Sequence, residues 1–184
     1  MAQANEEVIL GSGDLFVMSY TGEAIPEDSV IETTSNQIGH IQGGATLEYK
    51  PTDYSVVDDM GAVLKRFITE EEVTLKSGVL TWGVNTLAKL CPAGALTEDS
   101  STHKSTLKIG GRGKTGISKV LARFVHTYDT GLKLRITIVA TASSGFTLAF
   151  AKDKETVIDA ELKAVPHDTD GTLVVIEQDT RTAG

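Results

Sequence analysis

The sequence predicts a mainly β fold, an antiparallel β-sandwich or barrel with one short α-helix at its flank. Three observations carry that prediction. Residues 38–50, 67–80 and 155–164 alternate apolar and polar side chains, and on a strand such alternation gives one dry face and one wet face. The 18 glycines lie beside β-branched runs, a composition that favours sheet and tight turns. Only one short segment has the three-to-four spacing of a buried helical face.

The elements follow in order. Residues 8–20 (VILGSGDLFVMSY) read as a strand, with Gly11 and Gly13 marking a bulge or a close backbone approach. Residues 21–37 are polar, contain Pro26 and lack periodicity, so they read as a long connection. Residues 38–50 set Ile41, Ala45, Leu47 and Tyr49 against Gln42, Thr46, Glu48 and Lys50, a pattern that holds through the glycines. Residues 51–66 form a long hairpin or excursion, with Asp58-Asp59-Met60-Gly61 as turn chemistry. Residues 67–80 return to a strand, in which Glu70, Glu72, Thr74 and Lys76 oppose Glu71, Val73 and Leu75.

Asn85 then reads as the N-cap of the one expected helix, with Leu87 and Leu90 on its buried face and Pro92 closing it. Residues 106–109, 117–127 and 132–140 are further strands, and Thr130-Gly131 lies in a hairpin turn. Leu132, Leu134, Ile136 and Ile138 are expected on a buried face, with Lys133, Arg135 and Thr137 outward. The last third, residues 145–177, reads as three strands. In the middle one Thr156, Ile158, Ala160, Leu162 and Ala164 are dry, while Glu155, Asp159, Glu161 and Lys163 are ionised. That acidic face is the candidate working surface.

The whole chain, residues 1–184, reads as a single domain with a polar N-terminal arm at 1–7. Hydrophobic residues make up 40% and charged residues 23%, which suits a soluble globular chain. No apolar run reaches the roughly 18 residues of a membrane helix, and the opening MAQANEEVIL lacks a signal-peptide layout. A lone cysteine, Cys91, excludes an internal disulfide. The net charge of −8 is unevenly placed. Residues 103–135 hold eight Lys/Arg against Asp129 alone, a segment charge of +7, which leaves −15 on the rest. Charge polarity of this kind suits docking onto other copies of the chain. Nucleic-acid binding through a basic footprint is disfavoured, because acids exceed bases overall and aromatics are only 5%.

No motif supports catalysis, so the expectation is no enzyme, no cofactor and no metal. In residues 110–116 (GGRGKTG) a phosphate loop would need its first glycine at 108, which is Lys108. The following segment is β-like and supplies no helix N-terminus for an anion. His40, His103, His126 and His167 are scattered without zinc spacing. Cys91 reads as a small hydrophobe, and Ser12 lacks the G-x-S-x-G elbow. Adjacent Asp58 and Asp59 diverge on a strand and do not make an acid–base pair.

What remains is a pattern of strands. Residues 38–51 (IGHIQGGATLEYKP), 71–82 (EEVTLKSGVLTW), 145–150 (GFTLAF) and 154–161 (KETVIDAE), in that order and spacing, resemble the major tail tube protein of tailed bacteriophages and related phage-tail-like particles. The resemblance covers roughly residues 8–177. It implies a β-sandwich with a flanking helix, assembled as hexameric rings that stack head to tail into a tube in the virion tail. Assembly would occur in the bacterial host cytoplasm, around a tape measure protein, between a tail terminator and baseplate or tail-tip proteins. The genome would pass through the channel in transit, without specific binding and with no membrane contact by the tube. Repeated heterologous contacts of this sort make open filaments.

The resemblance gives the acidic faces a role, because carboxylates repel phosphates within a screening length of about 8 Å. Gln42, Thr46, Glu48, Glu70, Glu72, Glu155, Asp159 and Glu161 are the expected lumen-facing set, the tube exterior being the alternative for each. Arg112 and Lys114 are expected to meet Asp58 and Asp59 of the next ring, setting register more than affinity. The competing reading is a monomeric β-sandwich binding or adhesin module.

Overall fold

A computed structural model describes residues 13–22, 24–81, 83–91, 94–110, 119–141, 146, 148, 150, 152, 153 and 155–180. In chain order the elements are β1 (Asp14–Ser19), α1 (Asp28–Ile31), β2 (Ile41–Val57), β3 (Val63–Val79) and α2 (Val84–Leu90). There follow β4 (Ala95–Asp99), β5 (Lys104–Lys108), β6 (Lys119–Thr127), β7 (Lys133–Thr141), β8 (Ile158–Ala164) and β9 (Val174–Gln178). The fold is mainly β and antiparallel, as its sequence predicts.

Seven strands run in the order β1-β6-β7-β8-β3-β2, with β9 also on β7, and β4-β5 forms a separate ribbon. Strand β7 makes the turn between layers. Along one edge its residues Leu134–Ile138 pair with β9, then Ala140 and Thr141 pair with β8. The dry faces of β1, β6 and β7 therefore meet those of β3 and β8. Leu15, Val17, Val120, Ala122, Phe124, Ile138 and Ala140 pack in one cluster with Val73, Leu75, Val79, Ile158, Ala160 and Leu162. Each fully buried aliphatic side chain there contributes about 1.5–3 kcal/mol relative to exposure. Leu87 and Leu90 of α2 join the same cluster.

Four expectations are corrected. Helix α2 starts at Val84 with Gly83, not Asn85, at its N-cap; the extended backbone of Gly83 lets its carbonyl accept the Leu87 N–H at 3.0 Å. The connection 21–37 contains α1, a single turn too short to show a period. Strand β4 (ALTED) escapes the alternation rule because all five of its residues are exposed, while β5 begins at Lys104 rather than 106. Of the three strands read in 145–177, β8 and β9 form; of the first, the described residues Phe146, Leu148 and Phe150 are not in a strand, and residues 145, 147 and 149 lie outside the described residues. Residues 8–12, Trp82 and Pro92 lie outside the described residues.

Strand β7 also departs from its expected pattern, since Thr137 is fully buried and Arg135 nearly so. The reason is a second cover. Residues 24–37 lie as a strap across the outer face of β1, β6 and β7, where Ile25 and Ile31 pack on Phe16, Leu121 and Val125. The strap is stitched to β1 by Val17 N–H to Asn36 O (2.8 Å) and Ile38 N–H to Leu15 O (2.7 Å).

The β2–β3 hairpin is the longest feature, 17 residues on each strand. Near its start Gly43 and Gly44, both at positive φ, form a two-residue bulge between Gln42 and Ala45. Their left-handed conformation suits glycine, and Ala45 stays on the same side as Ile41. Strand β8 meets β3 only between Thr74 and Val79. Beyond that, no described strand flanks the hairpin, and it projects as a two-stranded arm.

Candidate functional site: an ionised sheet face

Register brings the expected acidic set together. On the wet face of β2-β3-β8, successive rows read Gln42–Gly78–Asp159, Thr46–Lys76–Glu161, Glu48–Thr74–Lys163, Lys50–Glu72 and Thr52–Glu70. Glu155, just before β8, accepts a hydrogen bond from Gln42 Nε2 at 2.7 Å. All eight residues thus lie on one continuous surface. At the bulge it dips into an open depression of about 510 Å³, lined by Gln42, Thr46, Lys76, Asp159 and Glu161 among others.

The surface is not purely acidic. Lys50 lies 2.7 Å from Glu48, Lys76 lies 3.4 Å from Glu48 and 4.0 Å from Glu161, and Lys163 lies 3.0 Å from Glu72. Six carboxylates thus face three lysines, a net of −3. The hydrogen bond from Lys50 holds the Glu48 carboxyl below its usual range, and the same contact raises Lys50. Sequence phase put these lysines on the wet side; which carboxylate each one meets depends on cross-strand register.

Of the second predicted cluster, only Asp58 and Asp59 lie among the described residues. Asp58 Oδ1 accepts the N–H groups of Met60 (3.0 Å) and Ala62 (2.8 Å), so its carboxylate builds the hairpin turn. Asp59 is exposed beside it, and Arg112 and Lys114 lie outside the described residues. Three other bases of the +7 segment are turned inward, against the strap. Arg123, 2% exposed, hydrogen-bonds Thr137 Oγ1 at 2.8 Å and reaches Asp28, with Glu32 at 3.6 Å and Glu177 at 3.7 Å. Arg135 bonds Glu32 (2.7 Å) and Asp179 (2.6 Å), and Lys133 bonds Glu32 (2.6 Å). No local spacing announces this network, because Asp28 and Glu32 lie about a hundred residues before its bases and Glu177 and Asp179 lie roughly fifty after them.

Burial alone would raise the Glu32 pKa, and hydrogen bonds from Lys133 and Arg135 outweigh it, so the group titrates below its ordinary value. The Arg135 contact likewise lowers Asp179. A carboxyl with a depressed folded pKa confers stability above its unfolded pKa and loses it as pH falls through the folded value. Strap attachment is therefore expected to weaken below about pH 4. Amide exchange at Val17 and Ile38 should then rise ahead of exchange in β6; uniform behaviour across the domain would count against a separable strap.

The arm beyond the ionised rows is apolar. A bulge at Thr69 re-phases β3, so Phe67 stands opposite Tyr54, on the face that carries Glu48 and Lys50 nearer the sheet. Tyr54, Val56, Val57, Met60, Val63, Phe67 and Ile68 are all exposed, Met60 at 95%. Lys65 lies over the Phe67 ring at 4.6 Å. Among the described residues no group of His, Cys, Asp and Glu is placed to hold a metal, and no helix is long and apolar enough to cross a membrane. No family model matches this chain and no curated protein does, so its fold, its ionised face and its apolar arm carry the functional argument.

Proposed function

We propose that this chain is a structural subunit of the tail tube type, which assembles as stacked hexameric rings and lines a channel for DNA in transit. The observation that carries the reading is the β2–β3 arm. A two-stranded ribbon carries seven exposed large apolar side chains that no other described element of the chain covers, and an apolar patch of that kind marks an interaction site. An arm that leaves its own sheet and docks on another copy makes a heterologous contact, which propagates along an axis. The ionised face of β2-β3-β8 is the proposed channel wall. It is continuous with the arm and predominantly acidic, and among the described residues β2 is the end strand of its sheet, an edge suited to pairing with a neighbour. In this reading the tape measure protein fills the channel during assembly, and terminator and baseplate or tail-tip proteins bound the tube.

Negative-stain electron microscopy of the purified protein tests this. Rings or hollow filaments are expected, and a field of uniform single small particles would count against it. That second outcome is what a monomeric binding module predicts, a reading favoured by the exposed Tyr54–Phe67 pair, since aromatic platforms serve ligand recognition.

A further inference from the structure

We propose that the ionised face is a masked polyanion-binding surface, in which Lys50, Lys76 and Lys163 would take DNA phosphates were they not each occupied by Glu48, Glu161 or Glu72. The inference rests on the tube reading for the identity of the passing polyanion, and on the ion pairs alone for the masking.

The geometry is specific. The three lysines stand one per row on three successive rows, and each is on a different strand, Lys76 on β3, Lys163 on β8 and Lys50 on β2. Rows on one face are about 7 Å apart. Unmasked, such a ladder is a multivalent phosphate site, and lysine is a flexible point donor suited to a moving backbone. Every lysine has a carboxylate within 4.0 Å, and Glu48 serves two of them, Lys50 through Oε1 and Lys76 through Oε2. A single exposed pair is weak. A phosphate must nonetheless displace a carboxylate fixed in place by the sheet and enter a surface of net negative charge. Removing the lysines would leave the glutamates to repel one another across the sheet, which cross-strand like charges do. The lysines therefore hold the wall together, and the glutamates keep it from sticking.

The test is binding of a fluorescein-labelled 20-base-pair DNA duplex by fluorescence anisotropy at about 50 mM salt. The wild-type protein is expected to bind weakly or not at all. The triple variant Glu48→Gln, Glu72→Gln, Glu161→Gln is expected to bind at least about tenfold more tightly, with log K falling against log salt with a slope near −3, as three phosphate contacts give. A charge-matched control, Glu70→Gln, Glu155→Gln, Asp159→Asn, removes as much negative charge and leaves the lysine pairs intact; it should not gain binding.

Equal gains in both variants would replace masking with general repulsion and overturn the proposal. So would no gain in the triple variant, or tight binding by the wild type. Glu48→Gln alone, which frees Lys50 and leaves Lys76 only its 4.0 Å contact with Glu161, keeps the question open to measurement if the triple variant folds poorly. Its gain should vanish when Lys50→Gln and Lys76→Gln are added. The assay needs no rings, so microscopy can reject the tube reading while this result stands, and the reverse.

Discussion

Removing both strap carboxylates, Asp28→Ala with Glu32→Ala, is expected to lower the unfolding free energy by about 3–5 kcal/mol. The loss would not come from surface ion pairing, which is weak. It would come from Arg123, almost wholly inaccessible on the outer face of β6, left with Thr137 and a distant Glu177. Arg135 would keep Asp179 but lose its 2.7 Å contact with Glu32. Urea unfolding followed by circular dichroism measures the change. A third substitution distinguishes the cause: adding Arg123→Met removes the stranded charge and keeps an apolar side chain in the site, and it should recover much of the loss. If it recovers nothing, the carboxylates matter through strap packing, and the buried cation does not dominate.

The other large effect concerns association. Tyr54→Ser, Met60→Ser and Phe67→Ser together should leave the stability of the single subunit within about 1 kcal/mol, since the side chains are exposed and the cross-strand pair and the Lys65 contact are individually weak. The same substitutions should weaken self-association roughly a hundredfold or more, because exposed aromatic anchors dominate interfaces. Sedimentation velocity across a concentration series, alongside urea unfolding, reads both quantities. A marked stability loss would make the arm part of the subunit's own fold. Unchanged association would remove the arm from any interface.

Sequence reading worked where burial is one-sided. The strand over Ile158–Ala164 has the alternate dry and wet pattern its residues predict, and so does Leu75–Val79 of β3, whereas Thr74, expected on the wet side, is buried. It failed where cover comes from afar. Thr137 reads as an outward residue until Ile31, Asp28 and Glu32 of the strap close over that face. Strand β4 has no dry face to detect, and α1 is one turn long. The acidic rows were legible residue by residue, because strand phase is local. Their neutralisation by lysines was not, because Lys163 meets Glu72 only through the register between β3 and β8. The turn at Asp58 was legible as a turn, but the backbone N–H groups its carboxylate accepts were not, since a carboxylate that caps a turn looks the same in sequence as a free one.

The paired glycines at 43 and 44 carry an implication for how such a strand can change length. From Ala45 onward, the side on which every β2 residue falls depends on an even number of residues having been inserted ahead of it. Dropping both glycines would keep Leu47 toward the core and Glu48 toward water. Dropping one would exchange them, and with them the whole lysine–glutamate lattice, much as a single-base slip scrambles a reading frame and a triplet does not. Length changes at this point of the chain thus keep the faces when they come in steps of two, and a step of one needs a one-residue bulge like that at Thr69 to absorb it.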